Sequence, residues 1–403
     1  MRSEPDRLRF EIVARDGDAR AGVLHTPHGT VETPCFVPLA TRGSVKGMLA
    51  AEVADLGFEM VLGNTYHLML APGPEMVDRF GGLHGFMGWD RPVITDSGGF
   101  QVFSLAHGSV ADEIKGRRGR NTSAGGVLGI TEEGVEFRSY IDGSQQFLSP
   151  ERSMEVQAGL GSDIALVFDE CTPFNADYDY TARSTERTHR WLERCLDWHR
   201  ENGPAGQAVF GIVQGGTHED LRRLSSDYVS GAGVDGIAIG GTLGEDKDQM
   251  REVLGMTVGL LPAEAPKHLL GIGEPDDLID GIGRGLDSFD CAVPTRLGRH
   301  GMALAPLPER RFRFDVSRRE HADSAEPLVA GCPCVACAEH TRGYISYLAR
   351  AGESTGARLV TVHNLVYTRE LMREARAAIV EGRYAAYRDA LASGSTPWEA
   401  TAS

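Results

Sequence analysis

The chain lacks any run approaching the ~18 consecutive apolar residues that a membrane-spanning helix needs. Its opening segment, MRSEPDRLRFEIVARDGDAR, has no apolar core of a signal peptide. No membrane association is expected, and the cytoplasm is the expected compartment. Cysteine is scarce: seven in 403 residues, three of them in one short segment, which suits a reducing compartment better than a disulfide scaffold. Short-period repeats and low-complexity tracts are missing, which argues against a solenoid. A phosphate-binding loop, an HExxH pair and a GxSxG elbow are missing too. GIGRGL at 281–286 breaks the dinucleotide-binding spacing and follows no clear strand.

Positive charge is in deficit. A net charge of -16 argues against nonspecific coating of DNA. The average conceals a local exception. Between Arg296 and Arg319 lie seven arginines (296, 299, 310, 311, 313, 318 and 319), against only Glu309 and Asp315. Charge alone allows a solvated face or a limited phosphate-binding surface.

What is present is a repeated order of short apolar run, polar or glycine residues, then an amphipathic stretch. The runs are MVLGNTYH around Asn64, PVITDSGGF at Asp96, DIALVFDECTP at Asp169, AVFGIVQGG at Gln214, VDGIAIGG at Gly241, HLLGIGEPDD at Gly273 and DSFDCAVPTR at Asp290. Strand, loop and helix in alternation indicate a parallel α/β architecture. In a (β/α)8 barrel all such strand ends converge on one face, whereas a doubly wound sheet gathers ligands at one switch point. Polar residues spread from Asp96 to Asp290 favour the barrel. Residues 106–127, rich in glycine and charge, are expected to form a surface loop. ARAAIVEGRYAAYRDALA is expected to close the fold as a helix, with the last ten residues frayed.

Near the C-terminus stand Cys332, Cys334 and Cys337, followed 26 residues later by His363. Three thiols so close cannot readily close disulfides on one another. Three thiolates and an imidazole match the number and softness of ligands in a closed, structural zinc site. With RLVTVHN as a returning strand, a zinc-binding subdomain is expected at about 306–363. The barrel is expected over about 10–305, with the last helices returning to it at 364–390, all within a single unit of 1–403.

Chemistry is then expected at the strand-end acids. Asp96, before Gly98 and Gly99, can serve as a base, or Asp96 or Ser97 can simply cap a helix. Asp290 can be a nucleophile, an acid or half of a structural ion pair. Two such acids on one barrel face can perform glycosyl transfer through a covalent intermediate. Asp169 is placed to accept N–H donors, and Gln214 and the Gly240–Gly241 amides to read the edge of a planar heterocycle. His67, His268 and His300 read as structural histidines.

Together TDSGGFQVFSL, SPERSMEVQ, FDECTPF, FGIVQGG, GIGEPDD, FDCAVPTR and CxCxxC…VHN resemble bacterial tRNA-guanine transglycosylase, in family order from about Phe10 to about Tyr387. The family exchanges guanine for a 7-deazaguanine in the tRNA anticodon. The resemblance implies Asp290 as nucleophile on the ribose C1′ and Asp96 as proton acceptor for the incoming base. Asp169, Gln214 and the Gly241 backbone would hold the base, with Ser97, Gly98, Gly99 and Phe100 completing the pocket. Gly271, Ile272, Gly273, Glu274, Pro275, Asp276 and Asp277, and Thr295, Arg296, Leu297, Gly298 and Arg299, match the family's RNA-contacting stretches. It further implies one structural zinc ion per chain, a homodimer, and insertion of preQ1 at position 34 of a tRNA with a GUN anticodon. Cys171 favours preQ1 over queuine.

Three features depart from the family pattern: Phe100 in place of tyrosine, Val213 in place of a second glutamine, and a 240–246 run one residue short. An archaeosine-type enzyme would carry an appended C-terminal RNA-binding domain. A non-catalytic tRNA-binding partner subunit would lack the two aspartates.

Overall fold

The computed structural model describes residues 8–106, 127–172, 176–241 and 244–400. Three antiparallel strands open the chain: β1 (Arg9–Asp16), β2 (Ala19–Thr26) and β3 (Gly29–Thr33). Eight parallel strands then close a barrel: β4 (Cys35–Ala40), β5 (Val61–Gly63), β6 (Val93–Thr95), β10 (Ile164–Leu166), β11 (Ala208–Val213), β12 (Gly236–Ile239), β13 (Lys267–Leu269) and β14 (Ser288–Cys291). A small antiparallel sheet, β7 (Val127–Ile130), β8 (Val135–Arg138) and β9 (Gln145–Leu148), interrupts the alternation between β6 and β10. A second small pair, β15 (Met302–Leu304) and β16 (Arg313–Asp315), follows the barrel.

The barrel strands are short and buried; every residue of β11 is buried, as expected for a parallel strand covered on both faces. All seven apolar runs picked out in the sequence contain barrel strands. The eighth strand, β4, escaped because Pro38 interrupts CFVPLA, and proline within a run argues against a central strand.

The N-terminal sheet is pinned to the barrel's opposite end. Arg20 on β2 forms a fully buried pair with Asp287, just before β14, and donates to the carbonyl of Ala265 at 2.7 Å. His28, in the β2–β3 turn, stacks on His84 with ring centroids 3.6 Å apart, and both reach the buried Asp163 that precedes β10.

The segment RLVTVHN is not a strand. It lies within a single helix, Ser354–Val380, in which Leu359 to Thr368 are all buried. The β-branched run suggested a strand, but a helix buried on every side shows no amphipathic period. This helix packs on the helix Val293–Arg299 and on β1, β2 and β4. The approach is close at Gly298, where a Cβ would fall within 2.6 Å of the Thr361 Cα.

The closing helix also divides. Gly382, at φ 69°, turns the chain between Val380 and a separate helix, Tyr384–Ala392. Beyond it the chain is not frayed as far as Ala400, since Trp398 packs edge-on against Tyr367 with centroids 5.9 Å apart.

Candidate active site and metal cluster

Asp96 follows β6 at the C-terminal face of the barrel. Its Oδ1 accepts the Thr65 N–H at 2.8 Å and its Oδ2 accepts the Asn64 side-chain amide, so it holds the start of the helix Thr65–Leu70. The residue is partly open at the barrel mouth, yet its carboxyl is surrounded by protein. Loss of hydration pushes its pKa up to about 7; the Asp290 charge adds to the rise, while the N–H donors of Thr65, Gly98 and Asn64 oppose it.

The next residues build a floor. Gly99 N donates to Ser97 Oγ at 3.1 Å, and Ser97 Oγ donates to Asp169 Oδ1 at 2.9 Å. Gln214 Nε2 donates to Asp169 Oδ2 at 2.6 Å. Burial raises Asp169 to about 6 against these two hydrogen bonds. Gln214 Oε1 is a buried acceptor without a partner among the described residues. Gly241, at φ 80°, sits against that oxygen, and a side chain there would collide with it. An unmet acceptor beside a carboxylate suits a ligand edge rich in N–H donors. Cys171 shares this floor; burial pushes its thiol up to about 12, so it is a neutral neighbour rather than a nucleophile. Phe100 stands 47% exposed, a face on which a planar ring could stack.

Asp290 ends the barrel on β14 and is 7% exposed. Its Oδ1 receives His268 Nε2 at 3.1 Å and the Gly271 N–H at 3.2 Å. Its Oδ2 has no hydrogen-bond partner among the described residues.

The two predicted RNA-contacting stretches lie beside this mouth in different states. Lys247 Nζ reaches Glu274 at 2.9 Å, Asp276 at 2.6 Å and Asp277 at 3.1 Å. Arg311 reaches Glu274 at 2.9 Å and Arg313 reaches it at 3.2 Å. Two of the seven strip arginines thus share the single charge of Glu274 with Lys247. Arg296 and Arg299 have no acidic partner among the described residues, and Arg299 is exposed. Burial, followed by the Arg296 charge, lowers the Arg299 pKa. Within the same helix, Thr295 and Gly298 are buried and Leu297 is half-buried.

The cysteines and histidine meet as expected. His363 Nδ1 lies 3.5 Å from Cys332 Sγ, 3.6 Å from Cys334 Sγ and 3.4 Å from Cys337 Sγ. A tetrahedral ion bonded at about 2.3 Å to sulfur and about 2.1 Å to nitrogen sets each sulfur about 3.6 Å from the nitrogen. The donor set therefore fits one metal ion. The other ring nitrogen, Nε2, donates to the Leu304 carbonyl at 2.8 Å, which leaves Nδ1 free as a ligand.

Some expected features lie outside the described residues: 107–126 of the glycine-rich loop, and Thr242 and Leu243 of the 240–246 run. Other contributors were not singled out. Arg222, buried in the helix Glu219–Gly231, donates to the carbonyls of Gly216 at 2.7 Å and Gly240 at 3.0 Å, tying two pocket loops together. An arginine in an amphipathic pattern reads as surface, so no local signal marked it. His268 reads as structural from the sequence, and its contact with Asp290 depends on which strand neighbours β13.

Comparison with known proteins agrees with this geometry. A family model described as Queuine tRNA-ribosyltransferase matches residues 16–396. A protein named Queuine tRNA-ribosyltransferase from Roseiflexus sp. (strain RS-1) is 53% identical over 392 residues, covering 94% of this chain and 98% of that relative. One of the same name from Pelotomaculum thermopropionicum is 49% identical over 386 residues, covering 95% and 97%. Another, from Halalkalibacterium halodurans, is 46% identical over 385 residues, covering 95% of each. With a closed barrel, converging strand-end acids and likeness along nearly its whole length, the chain belongs to the queuine tRNA-ribosyltransferase family.

Proposed function

We propose that this protein exchanges guanine at wobble position 34 of a tRNA with a GUN anticodon for preQ1, by double displacement on Asp290. The observation that carries the reading is the pair of strand-end carboxylates, one with an oxygen unpartnered among the described residues and the other with a pKa pushed up to about 7 by burial. A base inside an anticodon loop must be splayed out before its glycosidic bond can be reached. Asp169, Gln214 and the Gly241 backbone would hold it on the floor, with Ser97, Gly98, Gly99 and Phe100 around it.

Asp290 attacks C1′, the C1′–N bond breaks, and guanine departs with a proton from Asp96. The RNA strand stays intact because the ribose is held as a glycosyl ester. Esterification also removes the negative charge that raised the Asp96 pKa, so Asp96, having given its proton to guanine, is held more readily as the carboxylate that receives the next one. The replacement base gives its proton to Asp96 and displaces the Asp290 carboxylate. No redox or nucleotide cofactor enters this sequence.

Arg296 and Arg299, uncommitted to acids, would meet backbone phosphates. Gly271, Ile272, Gly273, Glu274, Pro275, Asp276 and Asp277 would form the adjoining edge, the acids there setting the cations in place. Cys332, Cys334, Cys337 and His363 would hold zinc, which supplies folding energy and no step of the reaction. On this reading 1–403 is a single transglycosylase unit, with the barrel at about 10–305, helices returning at 364–390 and a zinc-binding subdomain at about 306–363. The protein is cytoplasmic and homodimeric, and the exposed Tyr344 and Tyr347 offer apolar surface to a second copy.

The test is exchange of radiolabelled guanine into unmodified GUN tRNA, by wild type and Asp290→Ala, with preQ1 and queuine as competing bases. Exchange by wild type alone, and stronger competition by preQ1, are expected. Exchange by Asp290→Ala, or none by wild type, would refute the mechanism. Stronger competition by queuine would reassign the replacement base.

A further inference from the structure

We propose that His268 is a positioning residue that selects Oδ2 of Asp290 as the attacking atom. The inference rests on Asp290 being the nucleophile.

His268 is fully buried on β13 and pairs in register with Ser288 on β14. Its Nδ1 lies 2.8 Å from Ser288 Oγ and its Nε2 lies 3.1 Å from Asp290 Oδ1. Ser288, His268 and Asp290 therefore form one line of polar groups along two neighbouring strands. The order of protons on that line follows from the chemistry of its ends. An ionised carboxylate only accepts, so the ring must carry its hydrogen on Nε2. Nδ1 is then a lone pair, and only a hydroxyl such as Ser288, which can donate or accept, satisfies it. The opposite tautomer would set the Nε2 lone pair against the carboxylate. Asp290 thus sets the tautomer, and Ser288 accommodates it by donating to Nδ1.

The consequence falls on the two oxygens of Asp290. Oδ1 receives both His268 Nε2–H and Gly271 N–H, at 3.1 and 3.2 Å. These donors draw charge onto Oδ1 and hold the plane of the carboxylate. Oδ2 keeps its lone pairs for C1′. In the first displacement an electron pair from Oδ2 forms the O–C1′ bond, while the C1′–N pair leaves with guanine and is protonated from Asp96. Oδ1 becomes the ester carbonyl, still facing the same two donors. In the second displacement the ester electron pair returns to Oδ2, and the two donors stabilise the carboxylate that departs from the ribose. His268 touches neither base nor ribose in this scheme; it acts through Asp290.

The test compares His268→Phe, which fills the space without a donor, with His268→Gln, whose amide can place an N–H near the position of Nε2. The readouts are the single-turnover rate of RNA–protein adduct formation and the KM for tRNA, with melting temperatures recorded for each. His268→Phe is expected to slow adduct formation by ~10–100-fold while KM changes less than about threefold. His268→Gln is expected to recover most of that rate. Equal rates in the two variants would overturn the proposal, because a purely space-filling histidine predicts that Phe does at least as well as Gln. A measurement needing no variant is the nitrogen NMR of 15N-histidine-labelled protein. It should show His268 protonated on Nε2 and bare on Nδ1, and the reverse tautomer would overturn the assignment. Asp290→Ala separates the two levels. Adduct formation in that variant would remove the parent reading, whereas its loss together with an unchanged rate in His268→Phe would remove only the role of His268.

Discussion

Asp290 and Asp96 stand at the C-terminal ends of β14 and β6, with β4 and β5 between them, and the charge of Asp290 raises the proton affinity of Asp96. The two acids are therefore not independent. Whatever neutralises Asp290, whether substitution or a covalent bond, makes Asp96 easier to ionise.

This coupling makes a stability prediction. The pKa of Asp96 is about 7 in the fold, against about 3.8 as a free group. The folded state thus holds more protons between these values, and the contribution is fully present below the unfolded pKa and lost as pH rises through about 7. Comparing wild type with Asp96→Asn by denaturant unfolding, the difference should shift toward the variant by about 1–3 kcal/mol between pH 4 and pH 8. The same variant should lose exchange. A difference flat with pH would place Asp96 at an ordinary carboxylate pKa.

The floor of the pocket makes a second. Gln214 offers an acceptor unmet among the described residues and donates to Asp169 at 2.6 Å. Removing it in Gln214→Ala should raise the KM for the free base by ~10–100-fold, because the ligand loses a partner and Asp169 loses a donor. Steady-state guanine exchange measures this, and an unchanged KM would put the base elsewhere.

Electrostatics at the mouth make a third. Arg299 is exposed and without an acidic partner among the described residues. For Arg299→Ala, the slope of log affinity for tRNA against log salt should fall in magnitude by about 0.7–0.9, the share of one phosphate contact. Filter binding across a salt series reads the slope. A parallel line would exclude such a contact.

The metal cluster makes a fourth. Metal analysis of purified protein should find one ion per chain, and Cys334→Ala should lose it together with several degrees of melting temperature. Retained metal, or an unchanged melting temperature, would count against a brace. Because the helix bearing His363 continues onto β1, β2 and β4, the loss should be transmitted to the barrel and not remain local.

Much of this was legible in the sequence. Parallel strands buried on both faces read as apolar runs, and the residue that ends each run lies on the active face of a closed barrel. Asp96, Asp169, Gln214, Gly241 and Asp290 stand out by that rule alone as candidates, and the structure places them at strand ends. The four residues of a cluster that could hold a metal ion stand out by softness and spacing. Where reading failed, a local pattern was ambiguous: Pro38 masked β4, and the β-branched run at Val360–Val362 imitated a strand inside a buried helix.

The sequence by itself determined the alternation of strand and helix, the acids at strand ends and the soft donor set at Cys332, Cys334, Cys337 and His363, because period, burial and donor type are local properties. Only the tertiary structure decided that His268 faces Asp290, that Arg222 ties the loops at Gly216 and Gly240, and that Glu274 claims Arg311 and Arg313 while Arg296 and Arg299 have no acidic partner among the described residues. Those pairings depend on strand adjacency and register around a closed barrel. Residues far apart along the chain become hydrogen-bonding neighbours only when the ring of strands is complete.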